Sequence, residues 1–137
     1  MNADINPTID QSKVNILIVD DIPLNVLLIQ KMLSKFKFNL ITANDGQTAL
    51  DTIASNNISL MLLDLMMPGI DGYEVLRRLR EDEKTKELPV VILSALNSKD
   101  DINKGFQLGA NDFITKPIIM ERLYACIAKQ VNELSLN

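Results

Sequence analysis

Four short apolar segments of this chain each end in polar residues that a buried strand does not need. These terminal residues carry carboxylate, hydroxyl or ammonium groups and are Asp20, Asp21, Asp64, Ser94 and Lys116. Because parallel strands all point the same way, residues that end separate strands gather at one edge, where open α/β sheets bind ligands. Three carboxylates, a hydroxyl and an ammonium at that edge can hold a divalent cation and an anion together. The pattern therefore favours phosphoryl chemistry.

The carboxylates suggest a metal ion and a nucleophile. Three carboxylates within a few ångströms repel one another, and at least one stays protonated unless a cation neutralises them. Ligation by oxygen alone suits a hard ion such as Mg²⁺, or Mn²⁺. Asp64 is the candidate nucleophile, since a carboxylate can attack phosphorus to form an acyl phosphate. The alternatives are structural, with Asp20 and Asp21 as a loop or helix-cap pair and Asp64 as a cap of the loop that follows it.

The hydroxyl and the ammonium suit the oxygens of a phosphoryl group. Lys116 would act as a point charge, and Ser94 would donate a hydrogen bond. A surface lysine is the alternative for Lys116. Pro117 follows at the change from strand to helix, where we expect a cis peptide bond. The segment 67–72 after Asp64, which includes a proline and two glycines, predicts a tight and stiff loop.

Short apolar runs alternate with segments of helical period along most of the chain. The predicted strands lie near residues 14–19, 38–43, 58–63, 89–93 and 112–115. The apolar positions that predict the inner face of the first helix are Leu24, Leu27, Leu28, Met32 and Leu33. Five strands that alternate with five helices predict an α/β fold with a parallel sheet.

The ends of the later helices carry recognisable signals. Asn44 or Asp45 is the predicted N-cap of the second helix, and Asp71 with Gly72 opens the third. Gly109 suits the position just after the fourth helix. The last helix is predicted over residues 118–134, with an inner face made of Leu123, Ile127, Val131 and Leu134.

Length and composition restrict the class of protein. The chain has 137 residues, 47% of them apolar and 23% charged, which suits one globular domain over residues 13–135 after a flexible segment 1–12. A net charge of −4 without a run of basic residues argues against direct nucleic-acid binding. Without an apolar stretch of ~20 residues or a signal peptide, we expect a cytoplasmic protein without membrane insertion.

Cysteine and histidine usage excludes several kinds of chemistry. The single cysteine, Cys126, cannot form an internal disulfide, and its helical spacing from Leu123 and Ile127 predicts burial. The sequence contains no histidine, which excludes a Ser-His-Asp triad, an imidazole zinc site and a phosphohistidine on this chain. A phosphoryl group that comes from histidine would therefore come from another protein.

Over residues 14–134 the chain resembles the receiver domain of bacterial two-component response regulators. The motifs that carry the resemblance are Ile16-Leu17-Ile18-Val19-Asp20-Asp21, Asp64-Leu65-Met66-Met67-Pro68-Gly69-Ile70-Asp71-Gly72, Ser94-Ala95 and Gly109-Ala110-Asn111-Asp112-Phe113-Ile114-Thr115-Lys116-Pro117. The resemblance implies a flavodoxin-like (βα)5 three-layer sandwich whose parallel five-stranded sheet has the order 2-1-3-4-5.

The resemblance also implies a role for each matching residue at the metal site. Asp64 would be the phosphoacceptor. Asp21 would bind Mg²⁺ directly and Asp20 mostly through water, and the backbone carbonyl of Met66 would add a ligand.

Around the phosphoryl group, the resemblance implies contacts from Ser94 and Lys116. Ser94 would move toward the phosphate, and Phe113 would follow it inward, a role compatible with core packing. The residues that shape the adjoining loops would be Pro68, Gly69, Gly72 and Pro117.

The implied function is a phosphorelay switch rather than a turnover enzyme. A sensor histidine kinase or a histidine phosphotransfer protein would supply the phosphoryl group. The face made by the fourth helix, fifth strand and fifth helix would then control a downstream protein or output domain, and it is also a face for dimerisation. The segment 22–25 resembles receivers fused to hybrid sensor kinases, so a stand-alone receiver and the receiver of such a kinase both stay open.

Two other classes share part of the pattern. A haloacid-dehalogenase-type phosphatase needs an aspartate two residues after its nucleophile, where this chain has Met66. A flavin-binding protein of the same topology needs a phosphate loop rich in Ser, Thr and Gly, whereas Asp20 and Asp21 would repel an anion.

Met66 and Leu96 are both apolar and would flank the path of an attacking water, so we expect a long-lived acyl phosphate.

Overall fold

The computed structural model describes residues 4–134, in which a central sheet lies between two layers of helices. The five strands are β1 (Asn15–Val19), β2 (Asn39–Ala43), β3 (Leu60–Leu63), β4 (Val90–Ser94) and β5 (Asp112–Thr115). The five α-helices are α1 (Pro23–Met32), α2 (Gly46–Ser55), α3 (Gly72–Glu81), α4 (Lys99–Gln107) and α5 (Met120–Asn132), and a short 3₁₀ helix spans Gln11–Lys13.

All neighbouring strands are parallel, and their order is β2-β1-β3-β4-β5. The predicted fold class and strand order are therefore confirmed. Val19 lies opposite Leu63 in the register, and Ser94 lies opposite Thr115. This register brings the carboxyl ends of β1, β3, β4 and β5 to one edge, which is the arrangement the strand-end residues predict.

Alternation along the strands divides the apolar side chains between two cores. On β1, Ile16 and Ile18 face the layer that contains α1 and α5, whereas Leu17 and Val19 face the layer of α2, α3 and α4. The inner strand β3 is buried at every position, as expected for a parallel sheet covered on both faces. The sheet is thus a rigid support for residues at its edge.

The predicted inner face of α1 is wrong in part. Met32 and Leu33 pack against the core as expected, but Leu24, Leu27 and Leu28 are 61%, 47% and 47% exposed. The helix buries Ile29 instead. Because α1 carries apolar residues on most of its circumference, their spacing does not decide which stripe faces the sheet.

The predicted helix ends are confirmed with small shifts. The side chain of Asp45 accepts a hydrogen bond from the Thr48 amide at 2.7 Å and caps α2, and Asp71 caps α3 in the same way. Gly109 follows the C-cap of α4 with φ of 104°. Helix α5 is shorter than predicted at both ends, and Leu134 is half-buried just beyond it.

Residues 4–12 lie against the end of the molecule where α5 finishes. The Asn6 amide donates to Oδ1 of Asn132 at 2.7 Å, and Ile5 and Ile9 pack on the core between the sheet, α1 and α5. The Lys37 amide donates to the side chain of Gln11 at 2.8 Å. The flexibility of segment 1–12 stays a prediction, and residues 1–3 lie outside the described residues.

Across residues 4–134, every helix is too short or too polar to cross a membrane.

Cys126 is expected to resist thiol reagents until the protein unfolds. The side chain is buried, as its spacing predicts, and burial together with nearby Asp112 raises the pKa of the thiol to about 12. Labelling with a disulfide reagent at pH 8 should therefore be complete in denaturant and negligible over an hour in native buffer. Complete native labelling within minutes would contradict this placement.

Candidate functional site

The ends of β1 and β3 place three carboxylates together. Asp20 and Asp21 follow β1 directly, Asp64 follows β3, and one carboxylate oxygen from each lies within 4.8 Å of the others. Asp20 is 2% exposed and Asp64 is 5% exposed. The two strands are neighbours in register, so the sheet itself brings these side chains together.

Lys116 reaches this cluster from the end of β5. Its Nζ lies 3.2 Å from Oδ2 of Asp20 and 3.7 Å from Oδ2 of Asp64. The peptide bond between Lys116 and Pro117 is cis, as expected from the sequence. Burial raises the pKa of Asp64, Lys116 opposes that rise, and Asp20 adds to it. One ammonium beside three carboxylates leaves the cluster with an excess of negative charge that favours a cation.

The donor atoms at this cluster fit a hard divalent ion. Oδ1 of Asp21 is buried and has no hydrogen-bond partner among residues 4–134. A buried oxygen without a partner is energetically costly unless something else satisfies it. Carboxylate and carbonyl oxygens are the ligands that Mg²⁺ and Mn²⁺ prefer. The three predicted metal carboxylates therefore lie together, and their chemistry suits the ion.

Ser94 and Phe113 lie on β4 and β5, the two strands beyond β3 in the sheet. Ser94 is the last residue of β4 and is fully buried, and its Oγ accepts a hydrogen bond from the Leu96 amide at 3.1 Å. Phe113 is buried on β5. A Cβ atom added at Gly105 of α4 would lie 3.1 Å from the Phe113 ring, so the ring packs directly on the backbone of α4.

The loop after Asp64 is held close to the strand end. Its path turns at Gly69, which has φ of 77°, and the Gly72 amide donates to the Leu65 carbonyl at 3.0 Å. A Cβ atom added at Gly72 would lie 2.4 Å from the Asp64 carbonyl oxygen. Pro68 lies in this turn, and the Met66 amide donates to Oδ1 of Asp64 at 3.3 Å. The loop thus fixes both the backbone and the side chain of Asp64.

The family model of the response regulator receiver domain matches residues 16–128. The chain belongs to this family. The matched range includes every strand-end residue described above. The chain is therefore a receiver domain, the class of domain used in two-component signalling.

Similar proteins include both a curated relative and solved structures. The receiver domain is 44% identical over 110 residues to response regulator PleD of Caulobacter vibrioides, and the alignment covers 80% of this chain and 24% of PleD. The receiver domain of a signal transduction histidine kinase from Syntrophus aciditrophicus is 26% identical, with a TM-score of 0.83, and 90% of this chain and 94% of that chain are covered. The Mn²⁺-bound form of response regulator Rcp1 is also 26% identical, with a TM-score of 0.78, and the coverage is 90% and 99%. The chain thus spans about a quarter of the length of PleD.

Two features near the site of the receiver domain do not follow from its sequence. One is an exposed apolar surface on α1, which includes Leu24 and Leu28. Ile119, which precedes α5, is also apolar and is 63% exposed. The other is Tyr73, whose hydroxyl donates to the backbone carbonyl of Asp101 at 3.0 Å. Periodicity identifies both as helix positions but does not tell which way their side chains point.

Proposed function

We propose that this receiver domain accepts a phosphoryl group onto Asp64 from a phosphohistidine of another protein. That protein would be a sensor histidine kinase or a histidine phosphotransfer protein in the cytoplasm. The observation that carries the proposal is the convergence of Asp64 with Asp20, Asp21 and Lys116 at the edge of the sheet. The domain would catalyse its own phosphorylation and dephosphorylation without turning over a separate substrate.

The metal would be held by Asp20, Asp21 and Asp64 together with the backbone carbonyl of Met66. The unpartnered Oδ1 of Asp21 supports this assignment, and so does the Mn²⁺-bound form of the related Rcp1. When bound, Mg²⁺ or Mn²⁺ supplies positive charge that offsets the repulsion between the carboxylates and the phosphoryl oxygens.

The transfer step uses the side chains already at the site. An Oδ atom of Asp64 forms a bond to phosphorus while the bond between phosphorus and the partner's imidazole nitrogen breaks. The electron pair of the broken bond stays on that nitrogen, which takes up a proton from the solvent. Lys116, now 3.2 Å from Asp20, would contact a phosphoryl oxygen, and Ser94 would donate to another.

We infer that a conformational switch is coupled to the same site. Ser94 would move toward the phosphoryl group, Phe113 would fill the space it leaves, and the face made of α4, β5 and α5 would change shape. Phosphorylation would bias two existing arrangements of this face rather than create one. A downstream protein, an output domain or a second copy of the receiver would bind the altered face.

The experiment that tests the proposal uses phosphoramidate, because its phosphorus–nitrogen bond matches that of phosphohistidine. With Mg²⁺ present, the protein should gain one phosphoryl group, and peptide mapping should place it on Asp64. A phosphoryl group found on Ser94, or none at any donor concentration, would overturn the assignment.

The exposed apolar surface of α1 supports a protein donor. Leu24 and Leu28 lie on it. Leu28, Met32 and Lys116 line a groove of about 290 Å³ between α1 and the segment that precedes α5. Apolar surface that stays exposed beside a reactive group is typical of a docking site. A donor bound there would bring its histidine to the edge of the sheet.

Replacing both Leu24 and Leu28 with aspartate is expected to slow transfer from a phosphorylated histidine protein. We expect a loss of about tenfold or more, which equals at least 1.4 kcal/mol of interface energy. Transfer from phosphoramidate should not change. Phe106→Asp on α4 is the control, since Phe106 is a similarly exposed apolar residue away from α1. Equal loss with both donors would mean that the α1 variant damages the site itself.

The acyl phosphate is expected to be long-lived because Met66 and Leu96 shield it. Both residues line a shallow apolar groove beside the loop after Asp64. Replacing both with asparagine should shorten the half-life about tenfold, since polar groups there can hold an attacking water. The half-life is measured by intact mass after the donor is removed, with Phe106→Asn as the control. Rapid loss from the wild type, unchanged in the double variant, would contradict the idea.

A further inference from the structure

Helix α4 has little side-chain anchorage in the core. Of its nine residues, Gly105 is the one that is buried. A Cβ atom added there would lie 2.9 Å from Cδ1 of Ile92 and 3.1 Å from the Phe113 ring. The helix backbone therefore rests directly on β4 and β5. Ile102 is half-buried, and Phe106 is exposed. Contacts from outside the sheet must therefore contribute to fixing the position of α4.

Two side chains of α3 hold the two ends of α4. At the N-terminal end, the hydroxyl of Tyr73 donates to the carbonyl of Asp101 at 3.0 Å, and Nζ of Lys104 lies 4.2 Å from the centre of the Tyr73 ring. At the C-terminal end, the guanidinium of Arg80 donates twice to the Gly109 carbonyl, at 2.9 and 3.1 Å, and once to Oδ1 of Asn111 at 3.1 Å.

The two attachments differ in strength. Arg80 makes several charge-assisted hydrogen bonds, which are roughly twice as strong as neutral ones. Tyr73 makes a single neutral hydrogen bond to a backbone carbonyl and a cation–π contact with the exposed Lys104. The N-terminal end of α4 is therefore the end that can be released, and the attachment of Arg80 would act as its pivot.

The releasable end is also the end nearest to the proposed switch. Residues 95–98 alone connect Ser94 to the first residue of α4. Within this connection, Ser98 caps α4, and its Oγ accepts from the Asp101 amide at 3.1 Å. A shift of Ser94 toward Asp64 thus pulls on the turn of α4 that Tyr73 holds. Tyr73 itself is the second residue of α3, directly after the loop that begins at Asp64.

We propose that Tyr73 is a positioning residue. It holds the N-terminal end of α4 in the arrangement in which Oγ of Ser94 accepts a hydrogen bond from the Leu96 amide. The inference rests on the proposed function, because it concerns the same switch. The hydrogen bond to Asp101 opposes the movement of Ser94 toward the phosphoryl group. Its removal therefore favours the arrangement that binds the phosphoryl group. If Tyr73 contributed only packing, it would stabilise the present arrangement and the phosphoryl-bound arrangement equally.

The chain offers a matched control for removal of one tyrosine hydroxyl. It contains two tyrosines. The hydroxyl of Tyr124 on α5 donates to the carbonyl of Met32 at the end of α1, and Nζ of Lys35 lies 4.3 Å from its ring centre. Tyr124→Phe thus removes the same kind of bond next to the same kind of cation, but on the opposite side of the sheet from α4.

The test compares the binding of beryllofluoride with Mg²⁺, a phosphoryl mimic, to the wild type, Tyr73→Phe and Tyr124→Phe by calorimetry. We expect Tyr73→Phe to bind about fivefold more tightly than the wild type, which corresponds to about 1 kcal/mol, the net contribution of one neutral hydrogen bond. Tyr124→Phe should bind as the wild type does. Amide exchange in residues 99–104 should be faster in Tyr73→Phe alone.

The remaining outcomes overturn specific parts of the account. Equal affinity of Tyr73→Phe and Tyr124→Phe would show that Tyr73 only packs. Weaker binding by Tyr73→Phe would mean that its bond belongs to the phosphoryl-bound arrangement, which reverses the inference. If the wild type itself binds no beryllofluoride, the proposed function fails, and the inference fails with it.

Discussion

Replacing Asp64 with asparagine is expected to abolish phosphoryl uptake from every donor and to raise the Tm in metal-free buffer. The uptake is lost because an amide oxygen cannot act as the nucleophile. The Tm rises because burial raises the pKa of Asp64, so its charge at neutral pH destabilises the fold. This destabilisation is present above the raised pKa and disappears as the pH falls through it. The gain in Tm should therefore be larger at pH 7 than at pH 4.

Asp71→Asn is the matched control for this variant. Asp71 lies in the same loop and caps α3 through the Glu74 amide at 2.9 Å, and asparagine caps a helix about as well as aspartate. Its phosphoryl uptake should stay close to that of the wild type. Uptake by Asp64→Asn equal to that of Asp71→Asn would exclude Asp64 as the acceptor.

Gly72→Ala, at the first residue of α3, is expected to destabilise the protein more than a methyl group added at Gly69 in the loop after Asp64. The new Cβ would lie 2.4 Å from the Asp64 carbonyl oxygen and 2.7 Å from Cα of Leu65, and backbone atoms cannot swing aside. We expect the free energy of unfolding to fall by about 3 kcal/mol. Displacement of Asp64 by about 1 Å should also slow phosphoryl uptake about a hundredfold. Urea unfolding and the rate of mass gain measure the two effects.

Gly69→Ala separates crowding from backbone strain. Gly69 has φ of 77°, and apart from its own residue and its two chain neighbours no atom lies within 4 Å of the added Cβ. Its alanine variant should lose about 1 kcal/mol of stability through strain alone and keep most of its phosphoryl uptake. If Gly72→Ala were as stable and as active as Gly69→Ala, the close packing of the loop on Asp64 would be wrong.

The strands could be predicted from their short apolar runs. The convergence of the candidate site residues could then be predicted, because it depends on one simple rule. A parallel sheet gathers its strand ends, so Asp20, Asp64 and Lys116 had to converge once the strands were recognised. The helix caps at Asp45 and Asp71 were equally predictable, since a local hydrogen bond decides them.

Other features depend on how whole elements pack. The exposed face of α1 could not be predicted, because leucines at positions 24 and 28 fit either a core-facing or a solvent-facing stripe. The bond from Tyr73 to Asp101 joins two helices whose separation is set by the sheet and by Gly105. The spacing of residues along the sequence does not determine the separation of these two helices. These long-range features are the ones on which partner docking and switching depend in our account.

The most direct test of the central claim is the intact mass of the wild-type protein after treatment with acetyl phosphate, with and without Mg²⁺, next to Asp64→Asn. We predict a gain of one phosphoryl group, ~80 Da, that requires both the metal ion and Asp64. A gain that persists in Asp64→Asn or without any divalent ion would contradict the account. No gain under any condition would also contradict the account, because the site would then lack its proposed chemistry.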